Sequence, residues 1–242
     1  VKKNYRRKLA VELTNNHLKV DISEYRYPAR SILKRTELYL RVILLFAALM
    51  LAALPQKNIA ADYYIPPTKS QPKIDGILDR NEWVDASEVL VNIETDPADS
   101  VKSDVKTRAF LMENGETLFV AFIAHDENPD QIRAFYRDRD LLWSDDHVGV
   151  SLDTFNDERR AYEFWVNPLG VQADGTYDDI NQRSDSSWNA IWQSAGKITA
   201  NGYIVEIAIP FKQLRFSTSK KKQQWGLELI RRYPRDRNIR IA

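Results

Sequence analysis

Alternating apolar and polar positions form the clearest pattern in this chain, and they are densest between residues 147 and 167. Side chains of a strand point alternately to its two faces, so this alternation predicts strands with one buried face. The polar residues 156–158 separate two alternating runs and supply a turn. The pattern therefore predicts a β-hairpin. Its buried face carries Val148, Val150, Leu152, Tyr162, Phe164 and Val166, and its other face carries Glu163, Trp165 and Asn167.

Further strands are predicted where apolar runs are bounded by turn residues. Residues 105–111 and 117–124 flank a turn that contains Asn-Gly at positions 114 and 115, a strong short signal for a hairpin. The second run is apolar on both faces, which predicts a strand in the middle of a sheet. Residues 202–210 predict another strand, and residues 225–231 predict the last one.

Between these strands the sequence predicts little helix. A brief helix from about Asp79, with Glu82 at the capping position, is predicted to bury Trp83. Residues 211–216 predict a turn or a single helical twist, and the Pro-rich residues 64–72 predict an extended, solvated linker. Seven or more short strands with almost no helix are typical of an all-β protein with a β-sandwich fold.

The first 61 residues are expected to lie outside this fold. Residues 42–55 form an uncharged apolar run that follows basic residues and precedes small ones, as in a signal peptide. The run is shorter than the roughly 20 residues of a membrane-spanning helix, which makes an uncleaved anchor the weaker alternative. We therefore expect an upstream extension at 1–31 that is not native structure, a signal peptide at 32–61, a linker at 62–72 and the sandwich at 73–242, truncated at its C-terminus.

Removing residues 1–61 changes the charge of the protein. They hold 12 of the 35 basic residues but only 4 of the 34 acidic ones, which leaves 23 basic and 30 acidic residues and a net charge of −7. An acidic domain without a basic stripe argues against nucleic acid or an anionic membrane surface as partner. The chain has no cysteine, which excludes disulfides, thiolate zinc sites and thiol catalysis.

Six segments, in this order, resemble the family 9 carbohydrate-binding modules, in particular those that begin larger envelope proteins of Gram-negative bacteria. The segments are IDGILDRNEW (74–83), DVKTRAFL with LFVAF (104–122), WSDDHVGVSLDTF (143–155), YEFWVNPLGVQADG (162–175), GYIVEIAIPFKQLRF (202–216) and WGLELIRR (225–232). The resemblance implies a Greek-key β-sandwich, immunoglobulin-like or jelly-roll-like, that binds a polysaccharide or oligosaccharide and often calcium. Any contact with a membrane would then come only through the signal peptide or a missing C-terminal region.

Aromatic and polar residues suitable for sugar binding occur together in this sequence. The apolar C–H faces of sugar rings stack on indoles, and sugar hydroxyls bond to carboxylates, amides and guanidinium groups. Trp143 precedes polar loop residues, and Trp188 and Trp192 are four apart, so that they could share a face of a helical turn. Core packing is the alternative for each, and it is the prediction for Trp83 and Trp225. The candidate carbohydrate-binding residues are Trp143, Trp165, Trp188, Trp192, Arg137, Arg139, Asn167 and Gln172.

Clustered aspartates suggest a calcium site. Calcium takes oxygen ligands from flexible loops, and residues 174–179 are expected to form one such loop. Turn formation and surface charge are the alternative, and Arg183 or the pair Arg137 and Arg139 could neutralise the carboxylates without metal. The candidate calcium ligands are Asp145, Asp146, Asp174, Asp178 and Asp179.

Three functions remain open from the sequence. The first is an exported, non-catalytic carbohydrate-binding module in the periplasm, at the outer membrane or outside the cell. The second is part of a larger glycoside hydrolase, for which Asp146 and Glu163 would be one acid and base pair. The third is a structural domain of an outer-membrane protein. No catalytic site is recognisable, so enzymatic activity is left undecided.

Overall fold

A computed structural model describes residues 11–14, 17–20, 41, 62–98, 100–219, 222–235 and 239–242. The strands β1 (Val11–Thr14) and β2 (His17–Val20) form a small antiparallel hairpin. Apart from residue 41, the predicted signal peptide lies outside the described residues. None of the helices in the described part of the chain is long and apolar enough to cross a membrane. The other structure described here belongs to the compact unit Asp62–Ala242.

The described part of this unit contains eleven antiparallel strands. They are β3 (Ser87–Asp96), β4 (Val101–Glu113), β5 (Thr117–His125), β6 (His147–Asp153), β7 (Arg160–Val166), β8 (Gln172–Asp178), β9 (Arg183–Asp185), β10 (Gln193–Thr199), β11 (Gly202–Pro210), β12 (Gly226–Tyr233) and β13 (Ile239–Ile241). Two short 3₁₀ turns, Pro129–Gln131 and Phe211–Gln213, are the helical elements of the described part of this unit. The strand order is β10-β11-β5-β4-β3-β13-β12-β6-β7-β8-β9.

The hydrogen-bonded sheet folds over so that its two halves enclose one main core. Side chains from β4, β5 and β11 and side chains from β6, β7 and β12 belong to the same buried cluster. The fold between the halves lies at β3 and β13, where both strands carry an irregularity in register. The domain is therefore a Greek-key β-sandwich, because two packed sheet layers enclose its core and because the neighbours β11 and β5, β3 and β13, and β12 and β6 are not consecutive in the chain.

The predicted hairpins are confirmed by the strand register. Val148 pairs with Val166 and Val150 with Phe164, and all four side chains are buried in the main core. Strands β4 and β5 pair around the turn at residues 114–115. Strand β5 lies between β4 and β11, as its two apolar faces predict. Strand β11 and the single helical turn after it are also confirmed.

Four local predictions were wrong. Residues 80–85 form turns instead of a helix, although Trp83 is buried as expected. The linker at 64–72 is extended but only partly solvated, since Thr68 is buried and its N–H donates to the Glu113 carbonyl oxygen. Strand β12 is not the last strand, because β13 pairs with both β12 and β3. The loop expected at 174–179 is largely strand β8, which extends to Asp178.

Candidate functional site

The sheet half that contains β6, β7 and β12 has one face in the main core and one outer face. This outer face lies close to residues 132–146, which we call the strap. Alternation along the strands decides which residues reach this outer face. Val148, Val150, Phe164 and Leu229 lie at the alternate positions and point into the main core. The outer face carries His147, Gly149, Ser151, Glu163, Trp165, Ala173, Gly175, Glu228, Ile230, Arg232 and Arg240.

Trp143 is the exposed tryptophan of this surface, and Phe135 and Tyr136 are further exposed aromatic residues of the strap. Its side chain is 53% exposed, whereas each of the other five tryptophans is buried or partly buried. The Trp143 ring meets the rings of His147 and Trp165 edge to face, both at 5.9 Å between centroids. An indole supported at its edge and open to solvent is a suitable platform for the apolar face of a sugar ring.

Trp165 forms the floor beside this platform. Its ring lies directly over Gly149, where an added Cβ would approach the ring to 2.3 Å, so the close packing requires glycine. Leu142 and Ile230 pack against Trp165 and leave it 8% exposed. Trp165 therefore supports Trp143 and has little surface of its own for a ligand.

A row of polar side chains follows next to Trp165. Glu163 lies opposite Ser151 on β6, and Ser151 lies opposite Glu228 on β12. Arg240 donates a hydrogen bond of 2.5 Å to Glu228. Burial raises the pKa of Glu163 above its usual value, and the nearby Glu228 carboxylate adds to this. Carboxylates, a hydroxyl and a guanidinium group beside an open indole provide hydrogen-bond partners for sugar hydroxyls.

Buried aspartates tie the strap to the sandwich. Asp145 and Asp146 have no solvent exposure, and their carboxylates accept the backbone N–H groups of Phe135 and Arg133, respectively. The Asp145 carboxylate also accepts a bond of 3.3 Å from Arg137 Nε. These two residues therefore use their oxygens to fix the backbone of the strap.

A second tie joins the strap to β8. Arg139 donates to both the Asp174 carboxylate and the Gln172 side-chain oxygen. Its guanidinium group lies 5.9 Å from the ring centroid of Trp192 and also donates to the Ala190 carbonyl oxygen. The donors of Arg139 are thus engaged within the protein.

Of the predicted sugar-binding residues, Trp143 and Arg137 are exposed, and the others are buried or partly buried. Trp192 is 6% exposed and packs against Phe164 at 5.2 Å, and Trp188 packs against the same ring at 5.8 Å. These two tryptophans do not share a helical turn, because residues 188–192 form no helix. Asn167 is fully buried and therefore not available to a ligand. Arg137, Arg139 and Gln172 already have protein partners, so Trp143 is the predicted residue with a free aromatic face.

The predicted calcium ligands do not come together. Asp145 and Asp146 end the strap, Asp174 lies within β8, and Asp178 and Asp179 lie at the turn towards β9. Across the described ranges, no group of three or more His, Cys, Asp or Glu side chains is placed to hold a metal ion. Arginine side chains, the amide of Asn167 and backbone N–H groups instead serve as partners of the buried carboxylates.

Calcium binding stays a prediction that thermal unfolding can test. A cation that binds only the folded protein raises the melting temperature by mass action, and a chelator reverses the change. We therefore expect excess calcium to raise the melting temperature if the aspartates form a site in solution. Identical melting curves in calcium and in chelator would contradict the prediction.

The predicted acid and base pair is not supported by the geometry. Asp146 is buried and faces Arg235 at 3.6 Å, whereas Glu163 lies on the outer face opposite Ser151. Ser151 is five residues after Asp146, which corresponds to about 16 Å along a strand. Glycosidase carboxyl pairs lie about 5–10 Å apart, so this backbone separation does not favour the two residues as an acid and base pair.

Asp146 and His147 are neighbours at the start of β6, and burial shifts their pKa values strongly in opposite directions. Burial lowers the pKa of His147 to about 4, and the Arg232 guanidinium adds to this. Burial raises the pKa of Asp146 to about 6, partly opposed by the hydrogen bond from the Arg133 N–H. Because the buried His147 resists protonation, its contribution to the free energy of unfolding is present above pH 6.5. It is lost as the pH falls to 4, since the unfolded chain then binds a proton that the folded protein does not. The Asp146 contribution is present below its unfolded pKa and is lost as the pH rises through 6.

Replacing His147 with Gln is expected to change the pH dependence of folding. The variant lacks the group that takes up a proton on unfolding between pH 6.5 and 4. Its free energy of unfolding should therefore rise relative to that of the wild type by roughly 3 kcal/mol as the pH falls from 7 to 4. Urea unfolding at a series of pH values measures this difference. A difference that stays constant with pH would contradict the placement of a neutral, buried His147.

Sequence reasoning missed most of the polar row beside Trp143. Alternation along residues 225–231 places Glu228 on the outer face and could have identified it. Arg240 had no such signal, because β13 was not predicted and a three-residue strand is too short to show a period. Glu163 was considered only for catalysis, although its position on the outer face was predicted correctly.

The chain is similar to known proteins in sequence and in structure. Residues 74–241 match the family described as carbohydrate family 9 binding domain-like. No curated protein matches the chain. A family 9 carbohydrate-binding module from Caldicellulosiruptor kristjanssonii in complex with glucose is 16% identical, with 74% of this chain and 83% of that chain covered and a TM-score of 0.47. The same kind of module from this organism in complex with cellotriose is 17% identical, with 73% and 80% covered and a TM-score of 0.47.

Proposed function

We propose that this chain, which belongs to the carbohydrate family 9 binding domain-like family, binds an oligosaccharide or polysaccharide on its outer face without catalysing a reaction. Trp143 stacks on one sugar ring, and the row of polar side chains beside it bonds to the hydroxyls. Ligand specificity then depends on Ser151, Glu163, Glu228 and Arg240, which offer acceptors and a cationic donor.

The observation that carries this proposal is the exposure of Trp143. Large aromatic side chains are normally covered, and the other indoles of this domain pack in or against cores. Trp143 keeps more than half of its surface open while its edge is supported by His147 and Trp165. The open indole next to hydrogen-bonding groups fits a ligand with both an apolar face and hydroxyls.

Replacing Trp143 with Ala is expected to weaken saccharide binding by about 1–3 kcal/mol, as for other aromatic binding platforms. The melting temperature should change little, because the lost side chain is mostly solvent-exposed. Suitable probes are neutral trisaccharides of glucose, xylose, mannose or galactose, with affinities measured by isothermal titration calorimetry.

Phe155→Ala is a matched control for this experiment. Phe155 is 56% exposed and lies at the turn after β6, at the end of the strand opposite to His147. Its loss should leave saccharide binding unchanged. A large loss of stability in Trp143→Ala, or equal affinities in both variants, would contradict the role of Trp143.

The proposal includes export from the cytoplasm. Its support is the apolar run at 42–55, which follows basic residues and precedes small ones. An exported module would meet polysaccharides in the periplasm, at the outer membrane or outside the cell. N-terminal sequencing of the protein from cell fractions tests this part, and a retained residue 25 in the exported form would contradict it.

A further inference from the structure

The strap holds the exposed indole without regular secondary structure of its own. From residue 132 to residue 146 the backbone forms neither helix nor strand. Such a segment has only single backbone hydrogen bonds, such as that from the Asp146 N–H to the Arg133 carbonyl oxygen, so its side-chain ties contribute strongly to how well Trp143 is held.

One buried carboxylate joins three parts of the chain at the base of the strap. Asp145 Oδ2 accepts the Phe135 N–H at 3.1 Å and Asn167 Nδ2 at 2.9 Å. Asp145 Oδ1 accepts Arg137 Nε at 3.3 Å. Asn167 Nδ2 also donates to the Phe135 carbonyl oxygen at 3.0 Å. The beginning of the strap, its end and the residue after β7 are thus fixed to one another.

Both residues lie below the protein surface, out of reach of a ligand. Asp145 and Asn167 have no solvent exposure, so neither can contact a molecule bound at the surface. Asp145 is nevertheless only two residues from Trp143 and closes the turn in which Trp143 lies. A buried pair so close to the platform can act on binding only through the conformation of the strap.

We propose that Asp145 and Asn167 are positioning residues, which hold the strap so that the Trp143 indole is oriented for stacking before a saccharide arrives. This inference rests on the proposed function. A binding surface that is fixed in advance avoids the cost of ordering it on binding. If a variant holds the competent conformation only about a tenth of the time, its apparent Kd rises about tenfold.

Asp145→Asn in the full chain tests this inference. The variant keeps one oxygen acceptor but loses the charge that pairs with Arg137, and it should bind the tightest trisaccharide of the neutral panel about tenfold more weakly. The same change in a Trp143→Ala background should cause no further loss, because the strap then has no indole to orient. Amide hydrogen exchange in the ligand-free protein should be faster at Phe135 in Asp145→Asn than in the wild type.

Asp153→Asn is the matched control. The Asp153 carboxylate also accepts backbone N–H groups, those of residues 155–158, but at the other end of β6. It should lose stability without loss of saccharide affinity. A control that loses affinity as much as Asp145→Asn would mean that reduced stability alone explains the effect and would overturn the inference.

The outcomes separate this inference from the proposed function. If the wild type binds none of the trisaccharides, the proposed function fails. If the wild type binds and Trp143→Ala weakens binding, but Asp145→Asn binds like the wild type, only the positioning role fails. Equal losses from Asp145→Asn with and without Trp143 would also overturn it. Should Asp145→Asn not fold, Arg137→Lys removes the guanidinium hydrogen bond to Asp145 while keeping a positive charge, and should show the same dependence on Trp143.

Discussion

Glu206→Ala is expected to lower the free energy of unfolding by at least about 3 kcal/mol. Glu206 is fully buried on β11, and its carboxylate accepts the backbone N–H groups of Asp75 and Gly76 and the indole N–H of Trp83. Alanine leaves three donors without an acceptor, and each orphaned buried donor costs roughly 1–3 kcal/mol. Chemical denaturation measures the loss.

Glu82→Ala is the matched control for this prediction. The Glu82 carboxylate accepts the Lys73 N–H at 3.2 Å, so it contacts the same N-terminal segment through an exposed hydrogen bond. Surface changes of this kind usually alter stability by less than about 0.5 kcal/mol. If Glu206→Ala costs no more than Glu82→Ala, the buried hydrogen bonds of Glu206 do not hold that segment in place.

The contrast between these two glutamates shows what the sequence can predict of the fold. The strand that contains Glu206 was predicted with its correct bounds, because its apolar run begins after Gly202 and ends at Pro210. The role of Glu206 was not predicted, since its three donors lie more than 120 residues earlier in the chain. A periodic pattern reports local structure and burial, but it carries no information on distant partners.

The candidate site illustrates the same limit. The exposure of Trp143 follows from its position in a polar loop, and the alternation of the hairpin places Glu163 on the outer face. The aspartates in the same loop were interpreted as calcium ligands because their charge is visible in the sequence, whereas their partners are not. Asp145 and Asp174 lie beside arginines that are 8 and 35 residues away. The sequence named these arginines as alternatives but could not decide which pair would form.

Arg231→Met is expected to lower the free energy of unfolding by about 3 kcal/mol, because it removes one cation from a buried charge cluster in which Asp126 keeps Arg235 as a second partner. The Arg231 side chain is fully buried between the sheet halves, 3.7 Å from the Asp126 carboxylate. Its Nη1 also donates to the carbonyl oxygens of Lys106 and His125 and to the Thr107 hydroxyl. Methionine fills similar space but leaves these acceptors with one donor fewer.

Arg232→Met separates this effect from a general loss of positive charge. Arg232 is the next residue on β12, but it points to the outer face and pairs with Asp96 at 2.9 Å, with 28% of its side chain exposed. A partly exposed pair of this kind contributes about 0–1 kcal/mol. Adjacent arginines on opposite faces of one strand should therefore differ by several kcal/mol in urea unfolding. Equal losses of unfolding free energy in the two variants would contradict the inward orientation of Arg231. The connection between the two sheet halves at this end of the sandwich depends on that orientation.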